Sequence, residues 1–238
     1  MGTIHPSVKI GVGVVIGDQV SIDEGCEIGA YSILEGETHV GAYNVLSSHV
    51  IMGGEPQDHK YKGGGKLTVG KRNKFREFST IHRGHLTEEG TQIGNDNNFL
   101  TGSHVGHDCI IGNSNFIANQ VLLAGHVEIG DFANFSGNAG AHQFSKIGSH
   151  VMISGLSGIR QDILPYAIVQ GDPAKMIGIN SIGLSRRGWP KDKIFQLKEA
   201  FRYFRNGITP TMPNEFYDEL QDFKSKSDRG IAKFKMKA

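Results

Sequence analysis

A cluster of three histidines and one carboxylate lies in the middle of the chain, within residues 99–129. Its members are His104, His107, Asp108 and His126. An imidazole with its ordinary pKa of about 6.5 can accept a proton from a hydroxyl group at neutral pH. This segment therefore predicts a site for general-base chemistry on a hydroxyl or amine.

The elements that must position these side chains follow a six-residue repeat. An apolar residue recurs every sixth position from Ile4 to Met52, resumes at Val69, and continues to Ile159. Neither a helix, whose apolar face recurs every three to four residues, nor an alternating strand has this period. It predicts a mainly β fold, a parallel β-helix of hexapeptide repeats with three hexads per coil.

A second inward position, occupied by smaller residues, follows each apolar position by four residues. Both cysteines, Cys26 and Cys109, fall on this position, and we expect them to be structural because buried thiols behave as small hydrophobes. Gly, Asn and Asp directly after the apolar position predict corners with φ near or above zero.

Stacking of coils brings residues 18 apart in the sequence next to each other. His107, Gly125 and Gln143 are expected on one external face, with His126 above Asp108. A histidine base and a backbone N–H that stabilises an oxyanion are the parts needed for acyl transfer. The acceptor's own hydroxyl or amine would attack directly, so no Ser or Cys nucleophile is required.

Two interruptions and one change of composition predict the domain organisation. Residues 53–66 are polar and Gly-rich, which predicts a loop, whereas residues 83–92 keep the phase, with Thr87 at an apolar position, which predicts a smaller bulge at one corner. Apolar spacing over 190–206 and 213–225 predicts two helices. We therefore expect a β-helix over residues 1–180 and a helical domain over residues 181–238.

Composition argues against several classes of protein. The 238 residues carry 25 Lys and Arg against 24 Asp and Glu, a formal net charge of +1, which favours neither a nucleic-acid binder nor a membrane-surface protein. The 2 Cys and the lack of an N-terminal apolar segment or other long apolar run predict a cytoplasmic protein with no transmembrane segment.

Seven stretches resemble motifs of the UDP-N-acetylglucosamine 3-O-acyltransferase family, which performs the first step of lipid A synthesis. They are GEPQDHKYKGG (54–64), IHRG (81–84), HVGHDC (104–109), LAGHV (123–127), AHQF (141–144), GLSGIRQD (155–162) and RRGW (186–189). The resemblance spans essentially the whole chain. It implies a left-handed β-helix, a homotrimer with sites in the clefts between prisms, and transfer of a 3-hydroxyacyl chain from acyl carrier protein to the 3-hydroxyl of UDP-N-acetylglucosamine.

The resemblance also implies roles for particular residues. His107 is the expected general base, Asp108 orients it, and the Gly125 N–H faces the oxyanion. The expected substrate-binding residues are Asp58, Lys60, His104, His126, His142, Gln143, Asn180, Arg186 and Arg187, and the expected acyl-chain contacts are Met152 and Gly155. No metal or other cofactor is expected, because the acyl group arrives on the phosphopantetheine of acyl carrier protein.

A basic cluster on the surface is expected to attract an acidic carrier protein. It comprises Lys71, Arg72, Lys74 and Arg76.

Two departures from the family pattern keep alternatives open. Gly106 stands where the family has Ala beside the base, and Ile182 stands where members often carry a carboxylate. N-acylation of a UDP-3-amino sugar and a non-catalytic UDP-sugar-binding prism are alternatives. A third is a trimeric enzyme resembling carbonic anhydrases, with zinc held by His104, His107 and His126.

Overall fold

The computed structural model describes residues 2–235, and the repeat forms a triangular prism of three sheets. Each coil of the chain contributes one short strand to sheet 1, one to sheet 2 and one to sheet 3, and strands of successive coils pair in parallel. The predicted fold class, a left-handed parallel β-helix, is confirmed.

The strands follow one another along the chain with few residues between them. They are β1 (Lys9–Ile10), β2 (Val15–Ile16), β3 (Val20–Ile22), β4 (Glu27–Ile28), β5 (Ile33–Leu34), β6 (Glu37–Val40), β7 (Val45–Leu46), β8 (Ile51–Gly54), β9 (Lys66–Val69), β10 (Lys74–Phe75), β11 (Thr80–His82), β12 (Thr91–Ile93), β13 (Asn98–Phe99), β14 (His104–Val105), β15 (Ile110–Ile111), β16 (Phe116–Ile117), β17 (Leu122–Leu123), β18 (Glu128–Ile129), β19 (Asn134–Phe135), β20 (Gly140–Ala141), β21 (Lys146–Ile147), β22 (Met152–Ile153), β23 (Gly158–Ile159), β24 (Ala167–Gln170) and β25 (Lys175–Ile179). Sheet 1 contains β1, β4, β7, β10, β13, β16, β19, β22, β24 and β25; sheet 2 contains β2, β5, β8, β11, β14, β17, β20 and β23; sheet 3 contains β3, β6, β9, β12, β15, β18 and β21. All neighbours are parallel except β24 and β25.

Both inward positions of the hexad fill the prism. The large position is buried at, for example, Leu46, Phe75 and Phe99, and the rings of Phe75 and Phe99 stack at 4.9 Å. Cys26 and Cys109 are free thiols buried at the small position, as predicted. Apolar burial of this kind, repeated coil after coil, stabilises a rigid scaffold.

The corners differ from the prediction. The residue with positive φ is the third after the apolar position, as at Tyr31 (φ 58°) and His49 (φ 63°), and not the first. Glycines at the first position serve close stacking instead, because a Cβ on Gly29 would lie 2.4 Å from the carbonyl carbon of Ser47 in the next coil. Backbone sterics between coils, rather than φ, therefore select glycine there.

Both inserted loops leave the prism where sheet 2 gives way to sheet 3. Thr38 pairs with Leu67, 29 residues on, and Lys74 pairs with Asn98, 24 residues on, whereas uninterrupted coils pair at 18. The first insertion therefore adds 11 residues between β8 and β9, and the second adds six between β11 and β12. The second keeps the phase because its length equals one hexad, and it emerges at one corner, as predicted.

Three helices follow the repeat: α1 (Ser181–Arg186), α2 (Lys191–Asn206) and α3 (Glu215–Ser225). α2 and α3 correspond to the two predicted helices, and α1 was not predicted. α2 ends at Gly207 in the left-handed conformation, and the Asn214 side chain caps α3 by accepting from the Tyr217 N–H. The division into domains 1–180 and 181–238 stays a prediction, and residues 1 and 236–238 of it lie outside the described residues. Within residues 2–235, no helix has the length and apolarity required to cross a bilayer.

Candidate active site

The predicted base and its neighbours lie together at the corner between sheets 2 and 3, which we call the site corner. It comprises the turns after β14, β17 and β20, at residues 106–109, 124–127 and 142–145, together with the two insertions. Because β14 pairs with β17 and β17 with β20 in an 18-residue register, His107, Gly125 and Gln143 occupy equivalent places on successive coils. The predicted stacking is confirmed.

His107 and Asp108 form a buried pair at this corner. The His107 Nδ1 lies 2.8 Å from the Asp108 Oδ2, and their side chains are 5% and 0% exposed. A carboxylate can only accept a hydrogen bond, so Nδ1 carries the proton and the lone pair remains on Nε2. His107 is therefore oriented as a base.

The second insertion fixes Asp108 in its ionised form. Its Oδ1 accepts hydrogen bonds from the Leu86 N–H, the Thr87 N–H and the Thr87 hydroxyl, each at 3.1 Å, and its Oδ2 accepts from the His85 N–H. Burial raises the pKa of Asp108, but these bonds and the one from His107 outweigh it, so the pKa lies below its usual value. Thr87 stood out in the sequence because it interrupts the apolar pattern, but nothing in the sequence indicated that it contacts Asp108.

Gly125 lies directly against the base. A Cβ at this position would sit 2.6 Å from the His107 Nε2, so a side chain there would push the imidazole aside. The Gly125 N–H donates no backbone hydrogen bond within residues 2–235. An unengaged N–H beside a base is suited to stabilise an oxyanion.

Neutral histidines surround the pair. His104 Nδ1 lies 2.8 Å from the Thr80 hydroxyl, and burial, followed by the nearby His82 and His107, lowers the pKa of His104 to about 4. His126 lies above Asp108 as predicted, with its Nε2 3.9 Å from Oδ2, and burial also lowers the pKa of His126. Neutral rings provide donors and acceptors for hydroxyl groups without placing positive charge beside the base.

A cleft of about 720 Å³ opens in front of His107 and runs along the outer face of sheet 2. Its lining includes His82, His104, Leu122, Gly125, Gly140, His142, Gln143 and Gly158, and it ends at the ion pair of Arg160 and Asp172. Gly140 and Gly158 lack side chains on that face and so leave an open groove beside Leu122. The groove has room for an extended apolar chain next to the base.

Arg83 holds the first insertion in place and was missed by the sequence reading. Its guanidinium donates to the Gly53 carbonyl at 2.6 Å, the Tyr61 hydroxyl at 2.6 Å and the Gly64 carbonyl at 3.0 Å. The loop carries the predicted substrate residues Asp58 and Lys60, and the Lys60 N–H, donating to Asp58, lowers the pKa of that carboxyl. The loop thus brings the Asp58 carboxylate to the site corner, 3.4 Å from the His85 Nε2, whereas the Lys60 side chain is exposed.

The other predicted residues lie elsewhere on the prism. The Asn180 amide donates to the His150 carbonyl, and Arg187 donates to the Phe132 carbonyl while stacking over the Phe132 ring at 5.1 Å. These contacts are at the corner between sheets 3 and 1, where exposed Arg186 also lies on α1. Met152 is on β22 of sheet 1, and Gly155 is at the corner between sheets 1 and 2. One chain does not bring these residues to His107.

Two members of the predicted basic cluster have acidic partners. Arg72 pairs with Asp96 at 2.7 Å, and Arg76 pairs with Glu77 at 3.0 Å. Lys71 and Lys74 are exposed. The net positive charge of this surface is therefore smaller than the sequence suggested, and carrier-protein docking there stays a prediction.

The side chains placed to hold a metal differ from the predicted set. Among the described residues, the ligand atoms that cluster within 4.8 Å of one another belong to His85, His107 and Asp108, not to His104, His107 and His126. His85 was not singled out from the sequence. A zinc site of the predicted composition does not form within one chain.

Comparisons with known proteins agree with the motifs. The sequence model described as UDP N-acetylglucosamine O-acyltransferase, domain 2, matches residues 162–232. A relative from Burkholderia orbicola, named acyl-[acyl-carrier-protein]–UDP-N-acetylglucosamine O-acyltransferase, is 46% identical over 164 residues, which is 68% of this chain and 63% of the relative. The matched part thus spans less than two thirds of that relative's own length.

Solved structures match over nearly the whole chain. The UDP-N-acetylglucosamine acyltransferase of Francisella novicida superposes with a TM-score of 0.91 at 31% identity, covering 98% of this chain and 90% of that one. The UDP-N-acetylglucosamine acyltransferase of Bacteroides fragilis gives a TM-score of 0.83 at 32% identity, covering 98% of each chain. Coverage and identity at this level relate the whole prism and its helices, not the repeat alone.

Proposed function

Because this chain belongs to the UDP-N-acetylglucosamine O-acyltransferase family, we propose that it transfers a 3-hydroxyacyl chain from acyl carrier protein to the 3-hydroxyl of UDP-N-acetylglucosamine, as in lipid A synthesis. The names of its relatives supply the substrate classes. The geometry of the site corner supports a mechanism of direct attack by the acceptor.

The reaction needs only one base and one oxyanion donor. His107 Nε2 accepts the proton of the acceptor hydroxyl as its oxygen attacks the thioester carbonyl. The Gly125 N–H stabilises the negative charge on the tetrahedral intermediate. Collapse breaks the C–S bond, and the proton on His107 passes to the departing phosphopantetheine thiolate. Asp108 keeps Nδ1 protonated throughout and offsets the positive charge of the imidazolium.

The observation that carries this proposal is the free lone pair of His107 Nε2 beside Gly125 at the mouth of the cleft. A base that faces a groove with room for an apolar chain suits a reaction whose nucleophile is supplied by a bound substrate. No metal or other cofactor is part of the mechanism. The neutral His104 and His126, together with Asp58, Lys60, His142 and Gln143, surround the place where the sugar would bind.

The test is acyl transfer measured by mass spectrometry with a panel of acyl carrier protein thioesters. UDP-N-acetylglucosamine and its 3-amino analogue compete as acceptors in one reaction. His107→Ala should lower kcat by about 10²- to 10⁴-fold, since general-base catalysis contributes that much, while UDP-sugar binding measured by calorimetry persists. His39→Ala, on the outer face of sheet 3, is the control. Near-normal turnover of His107→Ala would refute the assignment of the base, and preference for the 3-amino analogue would change the acceptor to an amine.

A further inference from the structure

We propose that His85, His107 and Asp108 form a binding site for a divalent transition-metal ion of the zinc type, and that the bound ion switches off acyl transfer. Binding of the ion rests on the geometry of these side chains alone. The inhibitory effect rests on the proposed role of His107 as the base.

The His85 side chain is placed as a ligand, and its Nε2 faces the Asp58 carboxylate. It is 6% exposed, and its buried Nε2 makes no hydrogen bond with any group of residues 2–235. A buried polar atom without a partner is costly, so its retention requires an explanation. The His85 ring packs edge-on to Tyr61 at 5.2 Å and lies 5.4 Å from the His107 ring.

The donor atoms already lie close together. The ligand atoms of His85, His107 and Asp108 are all within 4.8 Å of one another, and the His85 Nε2 lies 3.4 Å from the Asp58 Oδ2. Zinc bonds of about 2.0–2.2 Å to nitrogen and oxygen place tetrahedral ligands roughly 3.3 Å apart. Small side-chain movements thus suffice to form a site of two imidazoles and one carboxylate, with Asp58 available as a fourth ligand.

The surroundings of Asp108 suit it as a metal ligand. Its Oδ1 is fixed by the N–H groups of Leu86 and Thr87, which leaves Oδ2 directed at His107. Such outer contacts orient carboxylate ligands in metal sites. Imidazole with carboxylate suits zinc, cobalt, nickel or copper better than magnesium or calcium.

Binding would block catalysis by occupying the base. If the ion takes Nδ1, the proton of the neutral ring moves to Nε2, which then has no free lone pair; if the ion takes Nε2, it occupies that lone pair itself. In either arrangement His107 cannot both hold the ion in place and accept the acceptor's proton from its present orientation. Zinc inhibition should therefore be reversed by a chelator and should weaken as pH falls, because protons compete for the ligands.

The first measurement is binding, which does not depend on turnover. Chelator-treated protein is titrated with Zn²⁺ against a chromophoric chelator, and with Co²⁺ while the visible absorption of tetrahedral cobalt is recorded. We expect one ion per chain. His85→Phe preserves the ring that packs on Tyr61 but removes the ligand, and it should weaken binding by at least about tenfold. The matched control is His59→Ala, since His59 also lies beside Asp58, at 3.5 Å, but is 88% exposed.

The second measurement is the ratio of acyl-transfer rates with and without Zn²⁺. The rate with Zn²⁺ divided by the rate without it should be well below one for the unaltered protein and for His59→Ala. It should be near one for His85→Phe. Equal Zn²⁺ affinity in His85→Phe, or no tetrahedral Co²⁺ spectrum in the unaltered protein, would overturn the metal site. Should His85→Phe fail to fold, the Co²⁺ spectrum of the unaltered protein decides alone. Zinc binding in a protein that never transfers an acyl group would instead count against the proposed function.

Discussion

Two of the residues proposed to act at the site occupy strained backbone positions of the repeat. Asp108 and His126 have φ of 57° and 59° at the third position after the apolar residue, a conformation that costs most side chains about 1 kcal/mol or more. The stacked coils impose it at most corners of the prism. The rigid corner, together with hydrogen bonds from the second insertion, holds His107 and Asp108 in place.

Gly106 shows how closely the coils approach at the site. A Cβ there would lie 2.7 Å from the Gly125 nitrogen and 2.8 Å from the Ala124 carbonyl carbon. Gly106→Ala, which restores the residue usual in the family, should therefore shift the backbone that carries the oxyanion donor. We expect a loss of about 1–3 kcal/mol in the free energy of unfolding and a fall in kcat larger than the change in KM. Denaturant unfolding and steady-state kinetics measure both.

Gly17→Ala is the matched control for that substitution. Gly17 occupies the same place in the hexad, but its nearest neighbour is the Glu35 Cα at 3.4 Å, an ordinary contact distance. Gly17→Ala should therefore change the free energy of unfolding and the kinetic constants very little. If Gly106→Ala were as well tolerated as Gly17→Ala in both assays, the prediction that a Cβ at position 106 displaces the Gly125 backbone would be wrong.

At the scale of elements, the two insertions act together through Arg83. Arg83→Met keeps the length of the side chain but leaves the Gly53 carbonyl and the Tyr61 hydroxyl without their donor. We expect a loss of about 1–3 kcal/mol for these buried groups, faster tryptic cleavage at Lys60 and Lys62, and a raised KM for the UDP-sugar. Arg76→Met removes an exposed ion pair with Glu77 and should change none of these. A cleavage rate unchanged in Arg83→Met would mean that the loop is held by other contacts.

The helices are coupled to the prism through a stack of rings at the corner between sheets 3 and 1. His150 stacks on Phe132 at 4.9 Å and on Tyr166 at 5.5 Å, and Trp189 packs edge-on against it. Burial, and then the charge of Arg187, lowers the pKa of His150 to about 4. In the unfolded chain the same group titrates near its ordinary value of about 6.5.

This difference makes stability depend on pH. Between about pH 6.5 and pH 4 the unfolded chain binds a proton at His150 that the folded chain does not, so stability is lost as pH falls through that window. His150→Phe keeps a ring at a corner where Phe132 already adopts positive φ. It should be more stable than the unaltered protein at pH 4.5 by about 1–2 kcal/mol, a figure reduced for partial exposure of the ring. Urea unfolding at pH 7 and pH 4.5 measures this, and an identical pH slope in both proteins would contradict it.

The elements themselves were largely predictable, whereas their corners and insertions were not. The six-residue period identified the inward positions because one apolar residue per strand must face the prism at every coil. Glycine directly after that position suggested a turn with positive φ. In the structure, glycine is required there because the next coil lies too close for a side chain. The distance between coils cannot be inferred from a single sequence. Thr87, Arg83 and His85 were missed or unexplained because an inserted loop has no period from which to infer what it contacts.

At the scale of the whole molecule, the predicted substrate residues are divided between two corners. His107, Gly125 and Gln143 lie at the site corner, whereas Asn180, Arg186 and Arg187 lie by the corner between sheets 3 and 1. On one rigid prism these groups cannot meet around one ligand. In a closed three-fold assembly each prism presents both corners to its neighbours, so a trimer would place the arginines of one copy opposite the base of another.

Subunit complementation tests this arrangement. One variant, His107→Ala, lacks the proposed base. The other, Arg186→Ala with Arg187→Ala, lacks the arginines predicted to bind the nucleotide. Each alone should be nearly inactive. Co-expressed with different tags and purified as mixed trimers, they should recover about one third of normal activity, because in each mixed trimer only one of the three neighbouring pairs combines an intact base with intact arginines. Mixing the purified homotrimers without subunit exchange is the control. If both groups act within one chain, no mixed trimer holds an intact site, and activity in the mixed preparation would stay at the level of the two variants.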